Sequence, residues 1–208
     1  MAKGGNFERE ISKKVSLWIT NSKMIDAVWH TSGSGGRATN RKRSKDNVLP
    51  KKYDYGDLGP DHLIAYPFFD CFSCELKTGY AKVKKTKDKI VKTMWSIMDM
   101  LDSAQKITAF EEFWDQCAND AKESKREPIL IVRRLQRQAC IALCDDIFNI
   151  FVKNHGKPNF KFIICDLEQK YKIIICNLDQ FINWSKDINI KKLHFQYTQL
   201  IMKRRINI

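Results

Sequence analysis

Long apolar runs are missing from this sequence. Segments such as Phe162–Cys165 and Ile173–Cys176 fall far short of the roughly 18 consecutive residues that a membrane-spanning helix needs, so the sequence predicts no membrane insertion. The N-terminal residues lead directly into a charged segment without the apolar core of a secretory signal. We therefore expect a cytoplasmic protein with no signal peptide.

Acidic residues are also in short supply. The chain has 24 Asp and Glu against 37 Lys and Arg, which gives a formal net charge of +13. An excess of this size favours a polyanionic partner, with nucleic acid as the first candidate and an anionic membrane surface as the alternative. The membrane alternative is the weaker one, because the sequence shows no basic amphipathic helix with a broad apolar face.

A cluster of soft metal ligands is missing as well. The 4 histidines are scattered, and the 7 cysteines lie mostly inside apolar segments. Cys71 and Cys74 form a Cys-x-x-Cys pair, but they fall in a predicted strand, where an odd offset turns two side chains to opposite faces. Zinc requires four converging ligands, so we interpret the cysteines as reduced, buried thiols.

The order of predicted elements indicates one α/β or α+β domain built around a mixed sheet, for which 208 residues with 43% hydrophobic content suffice. Helical periodicity covers residues 7–20, with Asn6 as N-cap, and 109–123. The remaining predictions are two strands within 57–77 (the second from about Phe68), a helix at 88–103, a strand at 129–135, an ambiguous segment at 139–152, a hairpin of 160–166 with 170–176, a short last helix capped by Asn177 or Asp179, and a frayed basic tail.

The most informative segment is Cys74-Glu75-Leu76-Lys77. In a strand, Glu75 and Lys77 share one face, while Cys74 and Leu76 face the core. Burying a carboxylate beside an ammonium is unfavourable unless something compensates, and a divalent metal with a phosphate would do so. An ordinary ion pair on a surface strand is the alternative interpretation.

Asp57 follows Gly56 at the start of the preceding predicted strand. A hairpin would bring Asp57 beside Glu75, and two converging carboxylates suit Mg²⁺, with Mn²⁺ as a substitute. Two alternatives remain open, because Asp61 could be the ligand instead and Gly-Asp is also common in turns.

Glu8 is the third candidate carboxylate. On a helix it falls within the arc of Phe7, Ile11 and Val15, where a charge is out of place for packing. It would point at a metal site beneath the helix, or interact with the helix dipole in the first turn. Glu10 falls outside this arc.

A long basic loop precedes Asp57. It opens with Ser32-Gly33-Ser34-Gly35-Gly36, where glycines let backbone N–H groups approach a phosphate closely. The predicted DNA-contacting residues here are Ser32, Ser34, Arg37, Arg41, Lys42 and Arg43, with a localisation signal or a solvated loop as the alternatives. Arg133 and Arg134, with Arg137, would form a second phosphate-binding strip, or only a solvated strand end.

These motifs together resemble those of archaeal and phage Holliday junction resolvases, within the PD-(D/E)xK, or restriction-endonuclease-like, superfamily. The matching segments are Gly4–Glu10, Ser32–Thr39, Gly56-Asp57 and Glu75–Tyr80, and they occur in the family's order. They cover a motif core of about residues 4–80, and residues of about 81–208 form a helical and strand extension. The basic loop and the Asp–Glu spacing are longer than in the compact archaeal enzymes.

The resemblance implies a restriction-endonuclease-like mixed central sheet flanked by helices, and a metal-dependent DNA endonuclease. Asp57, Glu75 and the Leu76 carbonyl would hold Mg²⁺, Glu8 would support a second metal or a water, and Lys77 would position the attacking water. The substrate would be DNA, possibly branched, and the enzyme a homodimer because junction strands are cut in pairs. The alternatives are a restriction-type or nicking nuclease acting on duplex, and a non-catalytic DNA-binding protein that keeps the nuclease fold.

Overall fold

A computed structural model of the chain describes residues 3–30, 52–79, 82–85, 90–93, 95–104, 107–167 and 171–206. Within these ranges the helices are α1 (Lys3–Ile19), α2 (Tyr66–Cys71), α3 (Asp99–Asp102), α4 (Ala109–Glu123), α5 (Asp145–His155), α6 (Leu178–Trp184) and α7 (Ile190–Ile206). The strands are β1 (Val28–His30), β2 (Leu58–Pro60), β3 (Phe72–Thr78), β4 (Lys82–Lys85), β5 (Ile90–Thr93), β6 (Glu127–Arg133), β7 (Cys140–Cys144), β8 (Phe162–Leu167) and β9 (Tyr171–Asn177).

The central sheet has five strands in the order β3-β6-β7-β9-β8. β3 runs parallel to β6, and the other neighbouring strands are antiparallel, so the sheet is mixed. β1 pairs with β2, and β4 pairs with β5, as two further antiparallel pairs. The predicted mixed sheet flanked by helices is thereby confirmed.

Alternation along the strands separates two hydrophobic clusters, one on each face of the sheet. On β6, Ile129 and Ile131 belong to the larger cluster, whereas Leu130 and Val132 belong to the smaller one. This is the period of two that a strand imposes, and a strand buried on both faces reads as a continuous apolar run. The larger cluster contains residues from α1, α2, α5, α6 and α7, and the smaller one residues from α4 together with Trp95.

Local caps explain where several helices begin. Thr108 and Glu111 form a capping box at the start of α4, each side chain accepting a hydrogen bond from the other residue's backbone N–H. Asn177 accepts from the Gln180 N–H at the start of α6, so of the two predicted caps Asn177 is the correct one. None of the helices in the described part of the chain could span a membrane.

Four sequence predictions were wrong in position or type. α1 begins at Lys3, so Asn6 is not its N-cap. The strand predicted from Phe68 begins only at Phe72, because Tyr66–Cys71 forms a helix with Pro67 in its first turn. The predicted helix at 88–103 contains strand β5 and only the short α3, since three of the four β5 residues, Ile90, Val91 and Thr93, are β-branched and favour a strand. The tail was predicted to be frayed, but it continues helix α7, and Arg204 donates hydrogen bonds to Glu127 and Asp146.

The ambiguous segment at 139–152 divides into strand β7 and helix α5. The predicted hairpin of 160–166 with 170–176 is confirmed as β8 paired with β9. Its turn lies outside the described residues.

Candidate active site

Asp57 is fixed against the edge of β3 that lies opposite β6. Its backbone N–H donates to the Cys74 carbonyl at 2.7 Å, and its Oδ2 accepts from the Leu76 N–H at 2.7 Å. The side chain is 1% exposed. The sequence prediction of a hairpin is wrong, since β2 pairs with β1, but the loop before β2 still brings Asp57 to the strand that carries Glu75.

Gly56 makes this close approach possible. Its φ is +79°, a conformation that side chains with a Cβ rarely adopt. A Cβ at this position would lie 2.8 Å from the Cys74 carbonyl oxygen and 2.9 Å from Ser73 Oγ. The Gly-Asp pair is therefore a requirement of the site's geometry as well as good turn chemistry.

Glu75 and Lys77 lie on the face of β3 that turns away from the larger cluster, because Phe72, Cys74 and Leu76 all belong to that cluster. Lys77 Nζ lies 2.5 Å from Glu75 Oε1. Gln116 Nε2, on α4, donates to the same oxygen at 2.9 Å. Two donors therefore hold Oε1, and they orient the carboxylate.

The second oxygen of Glu75 has a different environment. Oε2 is buried, and no described residue donates a hydrogen bond to it. Leaving a buried carboxylate oxygen unsatisfied is unfavourable by roughly 1–3 kcal/mol or more, so such an atom in a native fold calls for a ligand or a proton.

The electrostatics of the pair agree with this. The pKa of the Glu75 carboxyl is raised from its ordinary 4.5 to about 7, and burial is the largest cause. The neighbouring Asp57 carboxylate contributes to the rise, whereas the Lys77 ammonium opposes it. A cation bound between the two carboxylates would relieve the repulsion that contributes to the shift.

A divalent cation fits these donors. Mg²⁺ prefers oxygen ligands and is commonly held by one or two carboxylates, with waters and substrate phosphates completing the shell. N–H and C=O of one strand residue point to the same edge, so the Leu76 carbonyl faces the edge at which its N–H meets Asp57. Within the described ranges, no three His, Cys, Asp or Glu side chains form a metal-binding group.

Arg126 holds the Asp57 loop in place, a role that no pattern in the sequence indicated. Arg126 is 4% exposed, and among the described residues its guanidinium donates only to uncharged oxygens. Its acceptors are the carbonyls of Lys52, Tyr55, Phe69 and Phe72 and the hydroxyls of Ser73 and Ser124. One side chain thus joins the segment before Asp57 to α2 and to the start of β3.

Comparison with known proteins identifies a family for this chain. A family model described as "Phage putative PDDEXK endonuclease" matches residues 1–191, which include the motif core and most of the extension. The chain belongs to this family. Searches of curated proteins and of solved structures gave no match.

In this phage PDDEXK-family nuclease, Asp57, Glu75, Leu76 and Lys77 are brought together as the sequence predicted. Asp61 is exposed after β2, so it is a poorer candidate ligand than Asp57. Glu8 is half-buried on α1, and it forms no three-carboxylate group with Asp57 and Glu75 in the described part of the chain. Its catalytic role stays a prediction.

Only some of the predicted DNA-binding residues of this nuclease lie within the described ranges. Ser32, Ser34, Arg37, Arg41, Lys42 and Arg43 lie outside the described residues. Arg133 donates to Glu10 at 2.6 Å, and its guanidinium lies 4.3 Å from the centre of the Phe7 ring. Arg134 is half-buried and reaches Ser96 Oγ at 3.5 Å. Arg133 is therefore engaged within the protein, while Arg137 is exposed.

Sequence reasoning also missed the contribution of α4. Gln116 reaches Glu75 directly, and the Asp120 carboxylate, one helical turn later, adds to the rise in the Glu75 pKa. The one sequence signal for this contribution is the i, i+4 spacing of Gln116 and Asp120, which lie beside the buried Cys117 and Ala121. The thiol of Cys117 lies in the same region, and burial raises its pKa well above the ordinary value.

Proposed function

We propose that this protein is a Mg²⁺-dependent endodeoxyribonuclease that hydrolyses phosphodiester bonds in DNA, with branched DNA such as a four-way junction as its preferred substrate. The observation that carries the proposal is the buried Asp57–Glu75 pair beside Lys77, in which Glu75 Oε2 is satisfied by no described residue. The net charge of +13 agrees with a polyanionic substrate. Such an enzyme would act in the cytoplasm of a bacterial or phage-infected cell.

Asp57, Glu75 and the Leu76 carbonyl would hold the cation, and Glu8 would support a second one or a water. The bound metal, with Mn²⁺ able to substitute for Mg²⁺, would lower the pKa of a water molecule and neutralise charge on the scissile phosphate.

The side chains of this protein have separate tasks. Gln116 and Lys77 hold Glu75 Oε1, which leaves Oε2 directed away from them as a ligand atom. The Lys77 ammonium, 2.5 Å from the carboxylate, places a positive charge beside the reacting phosphate and would stabilise the negative charge that builds up as water attacks. In-line attack would leave a 5′-phosphate and a 3′-hydroxyl, as the resemblance implies.

DNA binding is proposed for the basic segment that precedes the site. Ser32 and Ser34, in the glycine-rich stretch, would contact phosphate near the scissile bond. Arg37 and the Arg41-Lys42-Arg43 run would neutralise neighbouring phosphates without reading sequence. Arg134 is retained as a further contact, whereas Arg133 would first have to leave Glu10.

Metal dependence and substrate class can be tested together. Purified protein is incubated with Mg²⁺ and labelled duplex, flap, single-stranded and four-way DNA, with and without excess EDTA. We expect cleavage only with the metal, fastest on the four-way junction, since removing the cation leaves two buried carboxylates facing the phosphate. Undiminished cleavage in EDTA would contradict the metal mechanism. Equal rates on the junction and its component duplexes would favour the duplex-nicking alternative.

A homodimer is also proposed, formed through β8. This strand is the outer edge of the described sheet, and Phe162, Ile163 and Ile164 are exposed on both of its faces. An apolar edge of this kind pairs readily with another strand. The Trp29 and Trp184 side chains, two further aromatics that could line an interface, are half-buried and contact other parts of the chain.

A second copy suits this edge because the strand is self-complementary. In an antiparallel pair with its two-fold axis at Ile163, Phe162 lies opposite Ile164 of the other copy, a favourable aromatic and β-branched pair. Lys161 then lies opposite Cys165, so no like charges oppose each other. We expect light scattering to give a dimer that Ile163→Lys converts to monomer, because two lysines would meet at the axis. Leu101→Lys, at an exposed apolar residue on α3, is the control. A monomeric parent protein would exclude the interface.

A further inference from the structure

The hairpin of β4 and β5 is separate from the central sheet. The two strands pair only with each other among the described residues, in the register Lys82 with Thr93 through Lys85 with Ile90. The stretch from 82 to 93 contains six lysines and a single acid, Asp88. The four lysines on the paired strands are Lys82, Lys84, Lys85 and Lys92.

Both ends of the hairpin connect to parts of the protein that are firmly packed. Before it, the Gly79 N–H donates to the Arg133 carbonyl at 3.2 Å, which extends the pairing of β3 with β6. After it, Trp95 is 3% exposed, with its ring centre 5.6 Å from that of Phe113. The hairpin is therefore an arm anchored at two points.

Chain length keeps the base of this arm close to the catalytic strand. Five peptide units separate Lys77 from Lys82, and each spans at most 3.8 Å between Cα atoms, so the two residues lie within about 19 Å. A duplex whose phosphate reaches Lys77 would thus pass the start of the hairpin. A two-stranded ribbon of this kind fits the major groove, which is about 12 Å wide.

We propose that the β4–β5 hairpin is a DNA-binding arm that enters the groove of duplex flanking the scissile bond, where its lysines neutralise backbone phosphates. Lysine ammoniums act as point charges on phosphate and give affinity without reading bases. This inference rests on the proposed nuclease function, and it assigns the contact that holds duplex next to Glu75 and Lys77.

The test is a quadruple variant, Lys82→Ala with Lys84→Ala, Lys85→Ala and Lys92→Ala. Binding to labelled duplexes of different sequence is measured by fluorescence anisotropy in EDTA, over a range of salt concentrations. The slope of log affinity against log salt should become shallower by about 0.9 for each phosphate that the variant no longer neutralises. Affinity should fall at least tenfold, to the same extent for every sequence.

A matched control removes the same charge elsewhere. Lys153, Lys157, Lys172 and Lys186 are exposed and lie beyond β6, so their quadruple alanine variant separates local contact from net charge. We expect its slope to change by less than half as much. Equal changes of the salt slope in both variants would contradict the proposed DNA-binding arm. An unchanged slope in a hairpin variant that melts at the same temperature as the parent protein would also contradict it. So would weaker binding to phosphatidylserine vesicles with unaltered DNA binding.

The failure of this inference is distinguishable from failure of the nuclease proposal. If the parent protein cuts DNA while the hairpin variant keeps its affinity and salt slope, only the arm is wrong. If the parent protein neither binds nor cuts any DNA in the panel, the nuclease proposal fails, and the arm fails with it.

Discussion

Replacing Glu75 by glutamine should reduce DNA cleavage by roughly 10²–10³-fold or more. Glutamine can still accept hydrogen bonds from Lys77 and Gln116 through its amide oxygen, so the side chain should keep its position. It cannot supply the negative charge that a divalent cation needs. Single-turnover cleavage of labelled DNA with Mg²⁺ measures the loss. DNA affinity measured in EDTA should stay equal or increase, because a charge that repels phosphate has been removed.

Glu10→Gln is the matched control for this variant. Glu10 is half-exposed and pairs with Lys14 and Arg133, so its replacement removes surface ion pairs worth at most about 1 kcal/mol. We expect cleavage close to that of the parent protein. A fully active Glu75→Gln protein, or an inactive Glu10→Gln protein, would show that the active site has been assigned to the wrong residues.

The same Glu75 variant should alter how stability depends on pH. Without metal, the folded-state pKa of about 7 exceeds the ordinary 4.5, so the folded state binds the extra proton between these values. The contribution of Glu75 to stability is therefore full below about pH 4.5 and is lost as pH rises to about 7, by roughly 3 kcal/mol. Urea unfolding in EDTA should show Glu75→Gln gaining stability relative to the parent protein over this interval. A constant difference would indicate that Glu75 ionises normally.

Replacing Arg126 by alanine should destabilise the protein by about 3–5 kcal/mol, or prevent folding. The change removes donors from four carbonyl and two hydroxyl oxygens, most of them buried. Arg126→Lys offers three donors on one nitrogen, so it should recover only part of the stability. Chemical unfolding measures the free energy in each case.

Arg126→Lys also tests the connection to the site. Because Arg126 holds the carbonyls of Lys52 and Tyr55, a folded Lys variant should cut DNA more slowly through a displaced Asp57 loop. Arg137→Ala, at an exposed arginine, should change stability by less than about 0.5 kcal/mol. If both alanine variants unfold at the same denaturant concentration as the parent protein, the described hydrogen bonds contribute little.

The strand that carries the site was readable from sequence because its two faces differ. Alternation of apolar and charged residues correctly placed Glu75 and Lys77 on one face and Cys74 and Leu76 on the other. The segment that brings Asp57 to this strand could not be predicted in the same way. Asp57 reaches β3 from a loop, through backbone bonds that depend on the conformation of Gly56, and no strand periodicity encodes such a contact.

Long-range contacts account for what sequence reasoning missed. Gln116 looks like any polar residue on an amphipathic helix, and only the packing of α4 over β3 gives it a role. No local pattern marks Arg126 as buried, since the acceptors of its guanidinium come from three separate segments. Strand β5 was mistaken for part of a helix because short lysine-rich segments satisfy either period poorly.

The parallel pairing of β3 with β6 has a consequence for synthesis of this protein on the ribosome. Parallel neighbours need a long connection, and here β4, β5, α3 and α4 all lie between the two strands. A nascent chain that ends near residue 80 already contains Glu8, Asp57, Glu75 and Lys77, yet it has neither the strand beside Glu75 nor the helix that covers it. Contacts between distant segments form late in folding. The proposed catalytic carboxylates would therefore acquire their buried setting only after β6 has emerged, and the growing chain would carry every proposed catalytic residue before the site is assembled.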